Sequence, residues 1–247
     1  MEIENIFLDK VDSTNNYAKQ KKDTFDKKKL TVISAEEQTS GRGRFQRTWV
    51  SPKGQNIYAT FYFFAKKGCM HMASLAQFMT LSISMVLIKK GLSPKIRWPN
   101  DVLIDDKKLA GVLCEISSGP DGCDVFLGVG INVDTDKSIL DKIDKPATSL
   151  KESSKCLWDK KELLTALENQ FVKDLELFLE KGFTPFHDEY ENLMAYVTHE
   201  IDCECGDKKY TGICHSLSFD GQLNLYIPST KEMITLSAAD VTLKTIK

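Results

Sequence analysis

The chain has 247 residues, 42% of them hydrophobic and 28% charged, with a formal net charge of −2. Such a balance describes an ordinary globular protein with enough chain to bury a core of normal size. It argues against a general nucleic-acid binder, which would carry a strong basic excess, so any phosphate recognition has to be local.

The acidic start, MEIENIFLDKVDSTNN, has neither the basic and apolar regions of a signal peptide nor the character of a transit peptide. Ser13 or Thr14 stands near the N-cap of a short helix running to Lys22. Residues 31–38 read as a strand that runs into Gly41-Arg42-Gly43-Arg44-Phe45-Gln46-Arg47-Thr48-Trp49. Residues 56–64 (NIYATFYFF) are a strand by their aromatic and β-branched content. Residues 72–90 read as a helix that is apolar nearly all round, hence deeply buried, with Gly91 at its stop. The most apolar run, residues 78–88, contains Ser82 and Ser84 and falls short of the roughly 20 residues of a membrane span. A cytoplasmic protein without membrane partners is expected.

Residues 95–98, 102–104, 109–116 and 124–133 follow as four strands, with turns at Asp105-Asp106-Lys107 and Gly119-Pro120-Asp121-Gly122. Asp159 and Glu162 form a capping-box pattern before a helix whose leucines and phenylalanines recur every three or four residues. Gly182 ends that helix, and Pro185 begins another that is expected to reach about Tyr196. From residue 197 the chain breaks into short strand-like runs separated by Gly206-Asp207, Asp220-Gly221 and Pro228-Ser229, the pattern of a small β-barrel. A domain boundary is placed there. The seven cysteines form no disulfide framework. Cys203 and Cys205 are separated by one residue, closer than paired zinc ligands favour, so small half-buried strand residues are the preferred reading of that cluster.

The Gly41–Trp49 segment concentrates three arginines in a near-neutral chain. Glycines flanking Arg42 let the backbone approach a ligand, and successive backbone N–H groups can form an anion-binding concavity. Arginine adds a planar fork that matches phosphate. Ordering such a loop costs about 1–2 kcal/mol per residue, which rivals the gain from three arginines. A loop mobile when empty and ordered over its ligand is expected, with Phe45 and Trp49 packing on the ligand's apolar part. It is not a Walker loop, and Gly128-Val129-Gly130 is not a dinucleotide fingerprint.

Ser13-Thr14-Asn15, Gln38 with the arginine loop, Trp98-Pro99-Asn100-Asp101, Lys108-Leu109-Ala110-Gly111, Gly128-x-Gly130-Ile131-Asn132 and Ala147-Thr148-Ser149-Leu150 occur in this order. Together they resemble the biotin–protein ligase family. The resemblance implies an α+β fold: a mixed-sheet, class II synthetase-like catalytic domain over residues 1–196, then a small SH3-like barrel over 197–247. It implies a ligase that joins biotin to ATP as biotinyl-AMP, with Mg²⁺ on the phosphates. The biotinyl group would then pass to a lysine of a biotin carboxyl carrier domain.

By position, the resemblance puts Ser13, Thr14, Asn15, Gln38, Gly41, Arg42, Lys108, Gly111, Gly128 and Gly130 at biotin. It puts Arg42, Gly43, Arg44, Arg47, Trp49, Asn100, Lys108 and Asn132 at the nucleotide. Lys108 would be the central catalytic residue, with Arg44 and Arg47 facing the phosphates. Trp49 would lie against adenine, and Gly130 would leave room beside the acyl chain. Asp101 is, by position, a candidate base for the second step. The chain departs from the family pattern at Arg97, where lysine is common, at Gln46, where the loop usually has glycine, and at Ser237-Ala238-Ala239-Asp240, where a glycine-containing turn is usual. Larger members carry an N-terminal operator-binding domain. Here Ser13 follows only twelve residues, so no specific DNA binding is expected. A homodimer is left open. A lipoate or octanoate ligase of the same fold is the nearest alternative, and a non-enzymatic biotin- or nucleotide-binding module the next.

Overall fold

The aromatic run Ile57–Lys66 forms β3, the central strand of a seven-stranded sheet, and nearly every residue of it is buried. The structure, a computed structural model, describes residues 1–67, 72–154 and 156–244. In chain order the elements up to residue 193 are β1 (Ile3–Val11), α1 (Thr14–Lys21), β2 (Leu30–Gln38), β3, α2 (Leu75–Lys89), β4 (Lys95–Arg97), β5 (Asp101–Ile104), β6 (Lys107–Ser118), β7 (Gly122–Ile131), α3 (Lys137–Leu140), α4 (Leu150–Ser154), α5 (Lys160–Lys181) and α6 (His187–Leu193). The sheet order is β1-β2-β3-β7-β6-β5-β4. Only β1 and β2 run parallel; the other pairs are antiparallel. The sheet is therefore mixed, as expected.

One face of the sheet carries α2 and α5. Phe61 and Phe63 of β3 meet Phe171 of α5, and Phe78 of α2 stacks on Phe178 at 4.6 Å between ring centroids. On the other face α1 covers a smaller cluster of Ala18, Ile33, Tyr62 and Phe126. Asp159 caps α5 through the backbone N–H groups of Lys161 and Glu162. The Glu162 carboxylate pairs with Lys90 and so ties α5 to α2. Together with the 3₁₀ turn before it, α2 spans Met72–Lys89, long and apolar enough by length and composition to cross a membrane. The run seen in the sequence is thus longer than expected, but most of the segment is buried in the fold, where it serves as a core helix.

The last helix stops earlier than predicted. After Leu193, Met194 turns extended and bridges to Ile96, whose carbonyl accepts the Ala195 N–H at 2.7 Å. Edge pairing with β4 has displaced the final helical turn.

The remaining strands are β8 (Glu200–Cys205), β9 (Lys208–Leu217), β10 (Leu223–Ile227), β11 (Glu232–Leu236) and β12 (Asp240–Leu243). They form an antiparallel sheet ordered β11-β10-β9-β8-β12, as a small β domain would. Cys203 and Cys214 lie buried inside it, and burial pushes their thiols up to about 12 and about 11. This sheet's core is continuous with that of the first sheet. The Trp98 indole donates to the Gly221 carbonyl at 2.9 Å, and Glu191 of α6 accepts the Leu217 N–H at 2.7 Å.

Candidate active site

A cavity of about 500 Å³ runs between the N-terminus of α1, the arginine loop, the middle of β6 and β7, and the segment 142–147. Its walls include every residue that the resemblance placed at biotin or the nucleotide except Gly41. Gly41 packs behind the wall instead. A Cβ there would come within 2.7 Å of Ser51 Oγ and of the Trp49 carbonyl.

The polar end of the cavity is built on α1. Ser13 sits at the N-cap position, and its carbonyl accepts the Tyr17 N–H. Gln38 Oε1, at the end of β2, accepts from the Thr14 N–H at 2.9 Å and from the Thr14 hydroxyl at 3.2 Å. The fully buried Thr60 hydroxyl lies 2.8 Å from Thr14 Oγ1 and 2.6 Å from Asn15 Oδ1. Gly128 leaves space for Asn15, since a Cβ on it would fall 2.7 Å from Asn15 Oδ1.

Lys108 opens β6 and stands mid-cavity. Its backbone is held by the segment that follows α3: the Lys108 N–H donates to the Pro146 carbonyl, and Thr148 N–H donates back to Lys108. Its Nζ lies 2.6 Å from Asp101 Oδ1, while Arg97 donates to Asp101 Oδ2 at 2.7 Å. Burial raises the Asp101 pKa, but Lys108 and Arg97 outweigh it and hold the carboxyl below its ordinary value. A carboxylate so stabilised is a weak base. Asp101 pins Lys108 in this arrangement, and its lowered pKa favours that role over the general base suggested by its position. Arg97, at the position where lysine is common, makes the second ion pair of this triad.

Arg42 reaches Asn16, and Arg44 donates to Asn100 Oδ1 and to the Ala239 carbonyl, both at 3.1 Å. Asn100 in turn donates to the Val112 carbonyl. Arg47 pairs with Asp240 at 2.6 Å, and Lys145 reaches the same carboxylate oxygen at 3.0 Å. Burial raises the Asp240 pKa, yet its two cationic partners bring it down to about 2. Asn132 donates to the Thr148 carbonyl and so braces the 142–147 segment.

Trp49 fills the space above two sheet glycines. A Cβ on Gly130 would lie 2.4 Å from Trp49 Cε2, and one on Gly111 3.2 Å from its Cζ3. The room expected beside Gly130 is thus taken by the indole. The Lys108 ammonium sits 5.2 Å from the indole ring centre. Trp49 Nε1 and Arg42 Nε are buried donors with no partner among the described residues. Such donors are costly unless a ligand accepts from them. Phe45 does not face the cavity. It is exposed, with the Arg44 and Arg47 guanidiniums over its ring. Phe45 and Gln46 both adopt positive φ, 54° and 58°, so this tight turn is formed without a glycine.

Several site residues escaped the sequence reading. Thr60 and Glu115 are polar side chains inside strands that read as apolar, and that mismatch was their only signal. Lys145 carried none, and Asp240 only the departure from a glycine-containing turn at residues 237–240. Among the described residues no group of three or more His, Cys, Asp or Glu side chains is placed to hold a metal. Asp101 and Asp240, two carboxylates on the cavity wall, each already face two cations.

A sequence profile of the biotin/lipoate A/B protein ligase family matches residues 7–132, and the chain belongs to that family. Among named relatives, it is 30% identical over 217 residues to the bifunctional ligase/repressor BirA of Escherichia coli, covering 87% of this chain and 67% of that one. It is 29% identical over 208 residues to the biotin–[acetyl-CoA-carboxylase] ligase of Paracoccus denitrificans, covering 82% of this chain and 86% of the relative. The fold superimposes on the biotin protein ligase of Aquifex aeolicus in complex with biotin and ATP with a TM-score of 0.81, at 29% identity and over 98% of both chains.

Proposed function

We infer that this chain is an ATP-dependent ligase that activates biotin as biotinyl-5'-AMP and transfers the biotinyl group to a lysine of a carrier domain. The observation that carries this reading is the order of groups along one cavity. A hydrogen-bonding end at Thr14 and Gln38, a pinned ammonium at Lys108 and an arginine-rich rim succeed one another on its walls. A ring with polar edges, an apolar chain, a carboxylate and a triphosphate ask for that succession. Residues 1–196 form the catalytic part in this reading, and residues 197–247 a barrel that bears on its rim.

In the first step a biotin carboxylate oxygen attacks the α-phosphorus, and the bond to the β-phosphate oxygen breaks to release pyrophosphate. Lys108 stands where two anions must meet, and its charge opposes their repulsion and stabilises that gathering on phosphorus oxygens. Arg44 and Arg47 hold the phosphates, and the cavity supplies proximity. Mg²⁺ belongs in this account to the phosphates of ATP, as is usual for an ion that keeps much of its water. In the second step the acceptor amine, as its free base, attacks the acyl carbon and AMP leaves with the bonding pair. Closure of the arginine loop protects the acyl-adenylate from water.

ATP–pyrophosphate exchange with biotin, lipoate, octanoate or no acid tests this. Exchange with biotin alone is expected. Exchange with lipoate or octanoate instead would move the protein to the neighbouring branch of its family, and none with any acid would favour a binding module.

A further inference from the structure

Glu115 lies outside the cavity wall, on β6, two residues beyond Leu113. One carboxylate oxygen accepts from Asn15 Nδ2 at 2.8 Å, and the other faces Lys19 Nζ at 2.6 Å. We propose that Glu115 is a positioning residue that sets the polarity of the hydrogen bonds at the polar end of the cavity, so that this end presents acceptors to a ligand bearing ring N–H donors. The proposal rests on the biotin reading of the site.

A carboxylate only accepts, so it takes the NH₂ side of the Asn15 amide. The Leu113 carbonyl, 3.4 Å from the same nitrogen, requires the same orientation. Asn15 Oδ1 then faces Thr60, whose one hydroxyl proton is committed to it at 2.6 Å. Thr60 oxygen is left as an acceptor toward Thr14 at 2.8 Å. Gln38 is oriented independently, because the Thr14 backbone N–H can only donate to its Oε1. The Thr14 proton therefore goes to Thr60 or to Gln38, and both choices keep it inside the protein. What Thr14 offers the cavity is a lone pair. A ureido ring supplies the matching N–H; a dithiolane ring or plain acyl chain does not. Asn15 is 3% and Thr60 0% exposed, so no bulk water competes for these bonds.

A purely structural role would have Glu115 anchor α1 to the sheet through Lys19. Two variants separate the roles. Glu115→Gln keeps the shape but can turn its own NH₂ toward Asn15, which leaves only the long 3.4 Å contact to the Leu113 carbonyl to hold the Asn15 amide, so that the amide can flip and the chain of protons reverse. We expect it to raise the biotin KM about tenfold, the worth of one buried hydrogen bond, with kcat of pyrophosphate exchange changed less than about twofold. The preference for biotin over lipoate should fall by a similar factor. Lys19→Met removes the anchor and leaves the carboxylate, and its biotin KM should stay within about twofold of wild type. An unchanged biotin KM in Glu115→Gln, or an equal rise in Lys19→Met, would overturn the proposal. Should Glu115→Gln fail to fold, Thr60→Val removes the hydroxyl that Asn15 orients and should raise biotin KM similarly; no rise would overturn the proposal as well. Wild-type protein that shows no exchange with biotin would refute the parent reading, and this inference with it. Normal wild-type exchange alongside unaffected variants would refute the inference alone.

Discussion

At the residue scale the proposed chemistry turns on Lys108, and the position of Lys108 turns on Asp101. The carboxylate is shared between Lys108 and Arg97, with little exposure of its own. Replacing Asp101 with Asn leaves two cations facing each other without their counter-ion. Breaking a buried ion pair from one side costs about 3–5 kcal/mol, so a clear fall in melting temperature is expected. Pyrophosphate exchange should drop at least about tenfold as Lys108 loses its hold. The sign with pH follows from the lowered Asp101 pKa. Its stabilisation is complete above the ordinary carboxylate range and is lost as pH falls through the lower folded value. If Asp101 were a general base, the variant would keep exchange and lose only transfer from purified biotinyl-AMP; measuring both steps decides between the two.

At the scale of elements, the middle of β6 and β7 is shaped by missing side chains. Gly111 and Gly130 are directly paired across the two strands and together make the bed on which Trp49 lies. Gly130→Ala puts a methyl group 2.4 Å from the indole, and the atoms that must move belong to a loop side chain and not to the sheet. The expected outcome is a folded protein with shifted tryptophan fluorescence and a raised KM for ATP. Unaltered fluorescence and kinetics would show that the indole does not depend on this bed. Room at Gly130 was legible in the sequence only through the resemblance, in keeping with the way glycine weakens a strand that nothing crowds. What approaches it was not legible, since Trp49 arrives from a loop whose turn at Phe45 and Gln46 departs from any glycine rule. Strand β1 was missed altogether. It lies at the sheet edge with a mostly exposed, polar surface, so the apolar alternation that reveals strands is absent from it. The central strand β3 and the helices α2 and α5 were legible for the opposite reason, because burial dictates their composition.

At the scale of the whole molecule, the C-terminal sheet bears directly on the cavity. Asp240 opens β12 and joins Arg47, 193 residues earlier in the chain, to Lys145 of the segment before α4. Ala239 accepts from Arg44 beside it. The departure at residues 237–240 thus supplies one carbonyl and one carboxylate to two loops of the first sheet, a pairing that no local pattern could announce. Arg47 is half exposed, and ion pairs of that kind contribute only about 0.2–1 kcal/mol. Asp240→Asn should therefore leave the melting temperature almost unchanged. Its effect should fall on closure: with the carboxylate gone, Arg47 and Lys145 no longer share an anchor, and biotinyl-AMP should escape several-fold faster in a trapping assay. The Asp240 pKa of about 2, against 3.8 for the unpaired group, sets the pH window. The anchor is fully present above about pH 4 and is lost as pH falls through about 2. Between pH 5 and 9 the difference in escape rate between wild type and Asp240→Asn should consequently stay constant. A difference that vanished within that range would assign the closure to some other titrating group. An escape rate unchanged by the substitution would reduce the contact to simple surface pairing between the two sheets.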